Sequence, residues 1–583
     1  MKKVLSIIVF VLLCVCAAAV LYANTGALRE ADEAAAATPT PEPTATPEPT
    51  PEPPVWLPGY AASDGGAIEL LDENFAPFMT VARGTALETE QGGGINGHGV
   101  PVLYEHIRLA DGTEGYMAAG AISETLDGCV TEQTVYVRTT TDYYLSPDSI
   151  ALDGDALAEK GTALTVLGFD TLREDGQVRM YRVADETGAE HYIRAQYVTQ
   201  SEAEAAGVYD EAMQAIHAER SDRYGGGAPG ALDYWPRAKD FEARTPMPET
   251  CKTLYIPSYP ECIENWQSYL DAADGCGINA FCVDITDGNA VAYASDVMAE
   301  YSPSTAAAAQ NSRETYAEAI AALKAAGYYV IGRITCFNDP LCCADRPEWA
   351  IANPDGSLRR ADDSYFLSPC SRGAWQYKLA LALEAVELFG FDEIQFDYVR
   401  CPSGISESAT STAVDFKNRF SESKAQAIQR FLMYAADNLH EAGVYLSADV
   451  FGETSNGYVT QYGQYWAAIS NVVDAISAMP YPDHYGPIGD WNPWEHPYEL
   501  INEYFAAGVV ERQTECPTPA AVRTWIQCYD AIKPPYNSYY SENVGAQIRG
   551  LFDAGLTGGY LTWNGGGDWG RYAACRDAFD IDP

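Results

Sequence analysis

The chain has 583 residues, 47% apolar and 20% charged, enough for several domains of about 100–200 residues each. Acidic residues outnumber basic ones 82 to 36, a formal net charge of -46. That balance argues against nucleic acid and anionic lipid as partners, because clustered Lys and Arg hold both. It suits neutral or cationic polymers.

Residues 1–23 read as an export signal. Lys2 and Lys3 precede an apolar run from Val4 to Leu21, about one membrane span long. Ala17 and Ala19 offer a small-x-small cleavage site. Uncleaved, the same segment is an anchor and the only expected membrane contact. Either way the chain is expected outside the cytoplasm, secreted or held at the outer membrane face or wall. Residues 24–58 are a linker. Thr38 to Pro54 holds eight prolines in 17 residues, which remove backbone donors and fix φ, so an extended segment without a core is expected.

Fifteen Cys occur, two of them in the signal. The remaining 13 are an odd number, so at least one thiol stays unpaired. There is no C-x-x-C and no H-E-x-x-H, so neither a zinc ribbon nor a zincin is indicated. No cofactor or metal is expected.

Two stretches, 59–127 and 128–200, read as diverged copies of one β unit. The first carries Leu103-Tyr104-Glu105, then Asp111-Gly112-Thr113-Glu114-Gly115-Tyr116-Met117. The second carries Met180-Tyr181-Arg182, then Thr187-Gly188-Ala189-Glu190-His191-Tyr192-Ile193. Each is an alternating strand, a Gly turn and a second strand. Each has an upstream Gly-Thr-Ala-Leu, at Gly84–Leu87 and Gly161–Leu164. The pattern resembles bacterial SH3-like modules, which often bind cell-wall peptides. A spacer role, or packing against the next domain, is the plainer alternative. Residues 201–250 connect, with Glu202 to Ser221 helix-like and Gly225–Gly230 breaking it.

From 251 to 583, β-rich runs alternate with amphipathic helices. The runs are Thr253–Pro257, Ala280–Ile285, Tyr328–Thr335, Glu393–Asp397, Val444–Val450, Ala475–Met479, Thr524–Cys528 and Gly559–Trp563. Helical stripes precede several of them: Tyr316, Ile320, Leu323; Ile428, Phe431, Leu432, Ala435, Leu439; and Val544, Ile548, Leu551, Phe552, with Gly555 as C-cap. Near-continuous apolar strands between helices imply a parallel sheet buried on both faces. Eight such units predict an α/β fold, a (β/α)8 TIM barrel, with a doubly wound open sheet as the alternative.

Barrel chemistry sits at the C-terminal strand ends. The second run reaches Asp284 and Asp287. The third carries Arg333. The fourth carries Gln395, Asp397 and Arg400, and the fifth Asp449 and then Glu453. Tyr481, Asp483 and His484 follow the sixth. Gln527 lies in the seventh, and the eighth ends at Trp563 and Asn564. Buried carboxylates are costly unless paired or used. Asp397 and Asp449, on adjacent strands, form the pair glycoside hydrolysis needs, one as nucleophile or base and one as acid. The alternative is an Asp–Arg structural network around Arg333 or Arg400. Asp284, Asp287, Arg333, Gln395, Arg400, Glu453, Tyr481, His484, Gln527, Trp563 and Asn564 are the expected substrate-binding residues. Trp491, Trp494 and Trp569 add aromatic surface. The glycine strings Gly92–Gly97 and Gly565–Gly570 read as loops, since neither is in a dinucleotide-binding context.

The stretches Val283-Asp284-Ile285-Thr286-Asp287, Ile331-Gly332-Arg333-Ile334 with Phe337-Asn338-Asp339-Pro340, and Arg346-Pro347-Glu348-Trp349-Ala350 carry a resemblance. So do Gly390 to Arg400, Ser447 to Gly452, Tyr481 to Tyr485, and Trp525-Ile526-Gln527. Residues 251–570 resemble a family of (β/α)8 barrels on exported bacterial proteins, named as glycoside hydrolases by analogy. The resemblance implies a barrel and a carbohydrate substrate, and favours Asp397 as nucleophile. The chain departs from the family at SAMPYPDHY, where Asp483 is an added acid. The function expected is a hydrolase of an extracellular or cell-wall polysaccharide. The competing readings are a non-catalytic carbohydrate-binding surface protein and a wall-anchoring scaffold.

Overall fold

The computed structural model describes residues 53–66, 68–96, 102–222 and 224–583. The expected signal or anchor at 1–23, most of the linker and Gly97 lie outside them. No helix among the described residues is long and apolar enough to cross a membrane.

The region from Trp56 to Ser123 is an antiparallel sheet with main strands Trp56–Ala61, Ile68–Leu71, Pro77–Val81, Ala86–Glu90, Leu103–Leu109, Glu114–Ala118 and Ile122–Ser123. Their order across the sheet is third, second, sixth, fifth, fourth, first, seventh. A second sheet follows, with strands Thr134–Val137, Thr141–Tyr144, Leu152–Ala158, Ala163–Phe169, Met180–Ala184, Glu190–Arg194 and Val198–Thr199. Its strand order is the same. In both, a short 3-10 turn leads into the last strand, at Ala119–Ala121 and Ala195–Tyr197. The two sequence copies are therefore two copies of one all-β topology. Each wraps a small core, around Leu70 and Ile107 in the first and Leu164 and Val183 in the second.

The second β unit is docked on the C-terminal domain through buried polar contacts. Tyr197 donates to Asp437 at 2.7 Å, and Arg194 to Asn438 at 3.1 Å. Arg372 donates to Asp142 at 2.7 Å, and Tyr434 to the carbonyl of Ile150 at 2.8 Å. Tyr144, Leu152, Met180 and Tyr197 join the core of that domain. Packing on its neighbour, one of the roles expected for this unit, is seen in these contacts. The connecting segment forms two short helices, Glu202–Ala206 and Glu211–Glu219, each opened by a side-chain cap, Ser201 and Asp210.

The C-terminal domain is mixed α/β around a nearly closed parallel barrel sheet. Its strands are β1 (Cys251–Ile256), β2 (Ala280–Asp287), β3 (Tyr329–Thr335), β4 (Glu393–Asp397), β5 (Tyr445–Phe451), β6 (Ala475–Met479), β7 (Ala521–Val522), β8 (Thr524–Gln527) and β9 (Gly559–Trp563). Each pairs in parallel with the next from β1 to β7. β8 pairs with β9, and β9 returns to β1. The seventh wall position is thus shared by β7 and β8, which break at Arg523. β7 pairs with β6 on one side and β8 with β9 on the other. Gly559 lets the last strand close on the first, since a Cβ there would lie 2.1 Å from the carbonyl oxygen of Cys251.

Three long helices cover the wall as their stripes predict. α1 (Arg313–Ala325) buries Tyr316, Ile320 and Leu323. α2 (Lys424–Glu441) opens with a capping box, in which Ser423 accepts from the N–H of Gln426 while the Gln426 side chain accepts from the N–H of Ser423. It buries Ile428, Phe431, Leu432 and Leu439. α3 (Ser541–Asp553) buries Val544, Ile548, Leu551 and Phe552, and Gly555 follows at φ 85°.

At the N-terminal end of the barrel, Glu393 and Arg523 form a fully buried bidentate pair at 2.7 and 3.0 Å. Tyr329 donates to the same carboxylate at 2.9 Å. This network ties β4 to the break between β7 and β8, at the face that contributes stability rather than chemistry.

Candidate active site

A cavity of about 200 Å3 opens at the C-terminal strand ends, lined by Asp287, Arg333, Asp397, Tyr398, Arg400, Phe451, Met479, Tyr481, His484, Trp525 and Trp563. A larger cavity, of about 240 Å3, lies by the second β unit against Tyr234, Trp235 and α2, away from the strand ends. Concave sites in such barrels carry function at the strand ends, so the first is the candidate.

Arg333, in β3, is the centre of the arrangement. Its guanidinium is buried yet spans two neighbouring strands. Nη1 donates to Asp284 Oδ1 at 2.7 Å, and Nη2 donates to Asp397 Oδ2. Nη2 also lies 3.5 Å from Asp287 Oδ1. Burial works against the cation, but Asp284, Asp397 and Asp287 outweigh it and hold Arg333 firmly protonated. Tyr255 donates its hydroxyl to Asp284 as well. Burial pushes the Asp284 carboxyl up to about 7 against the pull of Arg333. Asp284 itself is sealed, at 1% exposure.

Asp397 ends β4 and lines the cavity. Arg333 holds one of its oxygens, and the N–H of Tyr398 donates to the other at 2.5 Å. That local bond goes with an unusual backbone: Tyr398 has φ 50°, a region bulky residues rarely enter. Strain of this kind collects where the surrounding structure fixes a functional group. Beyond it, Arg400 sits among four rings, with its guanidinium carbon 4.6 Å from the centroids of Tyr398 and Phe451 and 5.6 Å from those of Phe366 and Tyr462. Its Nη2 donates to Asp362 at 3.1 Å.

Asp449 does not reach the cavity. It is 0% exposed, and two cavity-wall residues lie against its oxygens. Trp525 Nε1 donates to Oδ1 at 2.8 Å, and Arg333 Nε lies 3.7 Å from Oδ2. Neither that oxygen nor that nitrogen has a hydrogen-bond partner. Burial, then the charge of Asp397, pushes the Asp449 carboxyl well above the ordinary carboxylate range. The raised carboxyl agrees with the sequence reading of Asp449 as an acid, but its burial keeps it from the cavity where it would meet substrate. It is a buried carboxyl behind the wall.

The other expected residues divide the same way. Asp287, Arg333, Asp397, Arg400, Tyr481, His484 and Trp563 line the cavity, and Asp284, Gln395, Glu453, Gln527 and Asn564 do not. Gln395 lies inside the barrel, where it accepts from Cys282 and donates to Ser477. Glu453 accepts from Tyr458 at 2.9 Å outside the cavity. The Gln527 side chain accepts from the N–H of Asp483 and donates to the carbonyl of Tyr529. Asn564 donates to the carbonyl of Asp568. These are wall and loop supports, since each polar group is spent on the protein. Asp483 is likewise buried, accepting from the Tyr529 hydroxyl at 2.8 Å and the Ile532 N–H at 3.1 Å.

The residues that sequence reasoning passed over are Tyr398, Phe451, Met479 and Trp525. Trp525 and Gln527 share one face of β8 by strand alternation, which was the available signal for Trp525. Aromatic packing builds the far wall. Trp563 lies 4.7 Å from Tyr255, 5.7 Å from Trp525 in an edge contact, and 6.4 Å from Tyr481 in a stacked one. The site thus joins two cavity-facing carboxylates, one shared guanidinium and flat apolar rings. Such a set can place charge at a reacting carbon and hold an apolar sugar face.

Among solved structures, a hypothetical protein from Ruminiclostridium thermocellum is similar at 34% identity and TM-score 0.28, over 34% of this chain and 97% of that one. A chitobiase from Flavobacterium johnsoniae is similar at 12% identity and TM-score 0.37, over 57% of this chain and 48% of that one. The C-terminal domain of a putative chitinase from Desulfitobacterium hafniense is similar at 12% identity and TM-score 0.37, over 57% of this chain and 99% of that one. Likeness at this level carries no argument about function. No curated protein matches the chain. Residues 253–569, more than half of the sequence, match the family described as "Putative glycosyl hydrolase domain", and the chain belongs to that family.

Proposed function

We propose that the C-terminal domain is a (β/α)8 glycoside hydrolase acting on an extracellular or cell-wall polysaccharide, with Asp397 the carboxylate that meets the anomeric carbon. The observation that carries this reading is the placement of Asp397. It lines the cavity, faces aromatic walls and has both oxygens fixed, one by Arg333 and one by the Tyr398 N–H. Glycoside hydrolysis passes through an oxocarbenium-like state that a fixed carboxylate stabilises or captures. A volume of about 200 Å3 is small for a ligand site, so a single ring of the polymer would enter. Trp563, Tyr481 and Trp525 supply the flat surfaces. Export rests on the sequence of residues 1–23.

A second reading is a carbohydrate-binding protein without turnover. Its support is that Asp397 is only 4% exposed and already salt-bridged. Incubation of the purified protein with wall, capsular and other extracellular polysaccharides separates the two. Release of reducing ends that stops in Asp397→Asn supports the hydrolase. Retention of glycan with no new reducing ends supports the binder.

A further inference from the structure

We propose that Asp287 is the second catalytic carboxyl, acting as acid and then base in a retaining double displacement with Asp397 as nucleophile. This rests on the hydrolase reading above.

Asp287 ends β2 and Asp397 ends β4, with Arg333 on the strand between them. Both carboxylates address the same guanidinium nitrogen, Nη2, with Asp287 at 3.5 Å and Asp397 in direct hydrogen bond. Their nearest oxygens therefore lie no more than about 6 Å apart, short of the roughly 6.5–9.5 Å that leaves room for an inverting water and on the side of the roughly 5–5.5 Å of retaining pairs. Asp287 and Asp397 are the two carboxylates in the cavity lining. The Asp287 side chain is 34% exposed, whereas those of Asp284 and Asp449 are 1% and 0% exposed. Its hydrogen bond from Thr335 and its approach to Arg333 both fall on Oδ1. Oδ2 is left for the glycosidic oxygen.

In the first step an Asp397 oxygen attacks the anomeric carbon, the bond to the leaving oxygen breaks, and the carboxyl proton of Asp287 passes to that oxygen. In the second step the Asp287 carboxylate takes a proton from water. The water oxygen then bonds to the anomeric carbon and releases Asp397 as carboxylate. Two inversions give net retention. Arg333 stays bound to Asp284 throughout and steadies both reacting groups.

The test uses the whole protein with anomerically defined phenyl and 2,4-dinitrophenyl glycosides, read by proton NMR, together with the polysaccharides above. Wild type should release sugar of the same anomeric configuration as the substrate. Asp287→Ala should lose at least about a hundredfold on phenyl glycosides, whose leaving group needs a proton. On dinitrophenyl glycosides azide should restore its turnover and give a glycosyl azide of retained configuration, while Asp287→Asn should lose as much as Asp287→Ala on phenyl glycosides without azide. Inverted product from the wild type overturns this proposal and leaves the hydrolase reading standing. Equal losses on both leaving groups with no azide product do the same. A wild type that cleaves neither glycosides nor polysaccharides overturns the hydrolase reading and this proposal with it.

Discussion

Trp525 donates its indole N–H to Asp449 across 2.8 Å, tying a cavity wall to a carboxyl the cavity never touches. The tie explains why a fully buried acid is kept on β5. It holds Trp525 against Trp563, and burial keeps its carboxyl well above the ordinary carboxylate range.

Asp449→Asn should therefore be mild. The amide oxygen still accepts from Trp525, so turnover on phenyl glycosides should stay within about tenfold of wild type, outside the range expected for loss of an acid catalyst. Kinetics on phenyl glycosides, with Asp287→Ala measured alongside, check this.

The same residue gives a pH signature in stability. Asp284 and Asp449 hold their protons in the fold to higher pH than the 3.8 of an unperturbed Asp, Asp284 up to about 7. The native state then binds more protons than the unfolded chain, so this contribution favours the fold at low pH and is lost as pH rises from about 4. Relative to wild type, Asp449→Asn should gain stability as pH is raised above about 4. Urea titrations of both proteins at pH 4, 5, 6 and 7 measure it; a gap that does not widen with pH contradicts it.

Arg333 should prove structural as well as functional. Arg333→Met leaves Asp284 and Asp397 buried without their cation, which costs about 3–5 kcal/mol. Arg333→Lys should recover only part of this, because an ammonium cannot span both carboxylates as the planar fork does. Equilibrium denaturation of the three proteins gives the ranking.

At the opposite end, Arg523→Met alone should cost about 3–5 kcal/mol, because the Glu393 carboxyl stays buried without its ion-pair partner. Adding Glu393→Leu and Tyr329→Phe should return most of it, since the whole polar set is then removed. Chemical denaturation of the single and triple variants compares them. Turnover, where present, should change little in the triple variant.

Much of the barrel was legible because its signal is local. The run Glu393–Asp397 is β4 residue for residue, and Ala475–Met479 and Gly559–Trp563 are β6 and β9. Apolar continuity and helix periodicity marked these elements without tertiary knowledge. The seventh run was placed correctly from Thr524, but the break at Arg523 was not visible. A charged residue in a wall makes sense only beside Glu393, 130 residues away in sequence. The candidate site was half legible for a related reason. Ending a strand is a sequence property; lining a cavity depends on what covers the residue. Asp449 neighbours Asp397 along the wall, since Phe396 pairs with Ala448, yet Trp525 and Arg333 cover it. The docking of the second β unit was undetermined for the same reason: Tyr197 and Asp437 meet across 240 residues.

The most direct test of the account is hydrolysis by the wild-type protein and by Asp397→Asn, on polysaccharides and on dinitrophenyl glycosides, with circular dichroism to confirm that both are folded. The account predicts measurable turnover by the wild type and a loss of at least about a thousandfold in the variant, from removal of a reacting group. Near-normal turnover in a folded Asp397→Asn would contradict it.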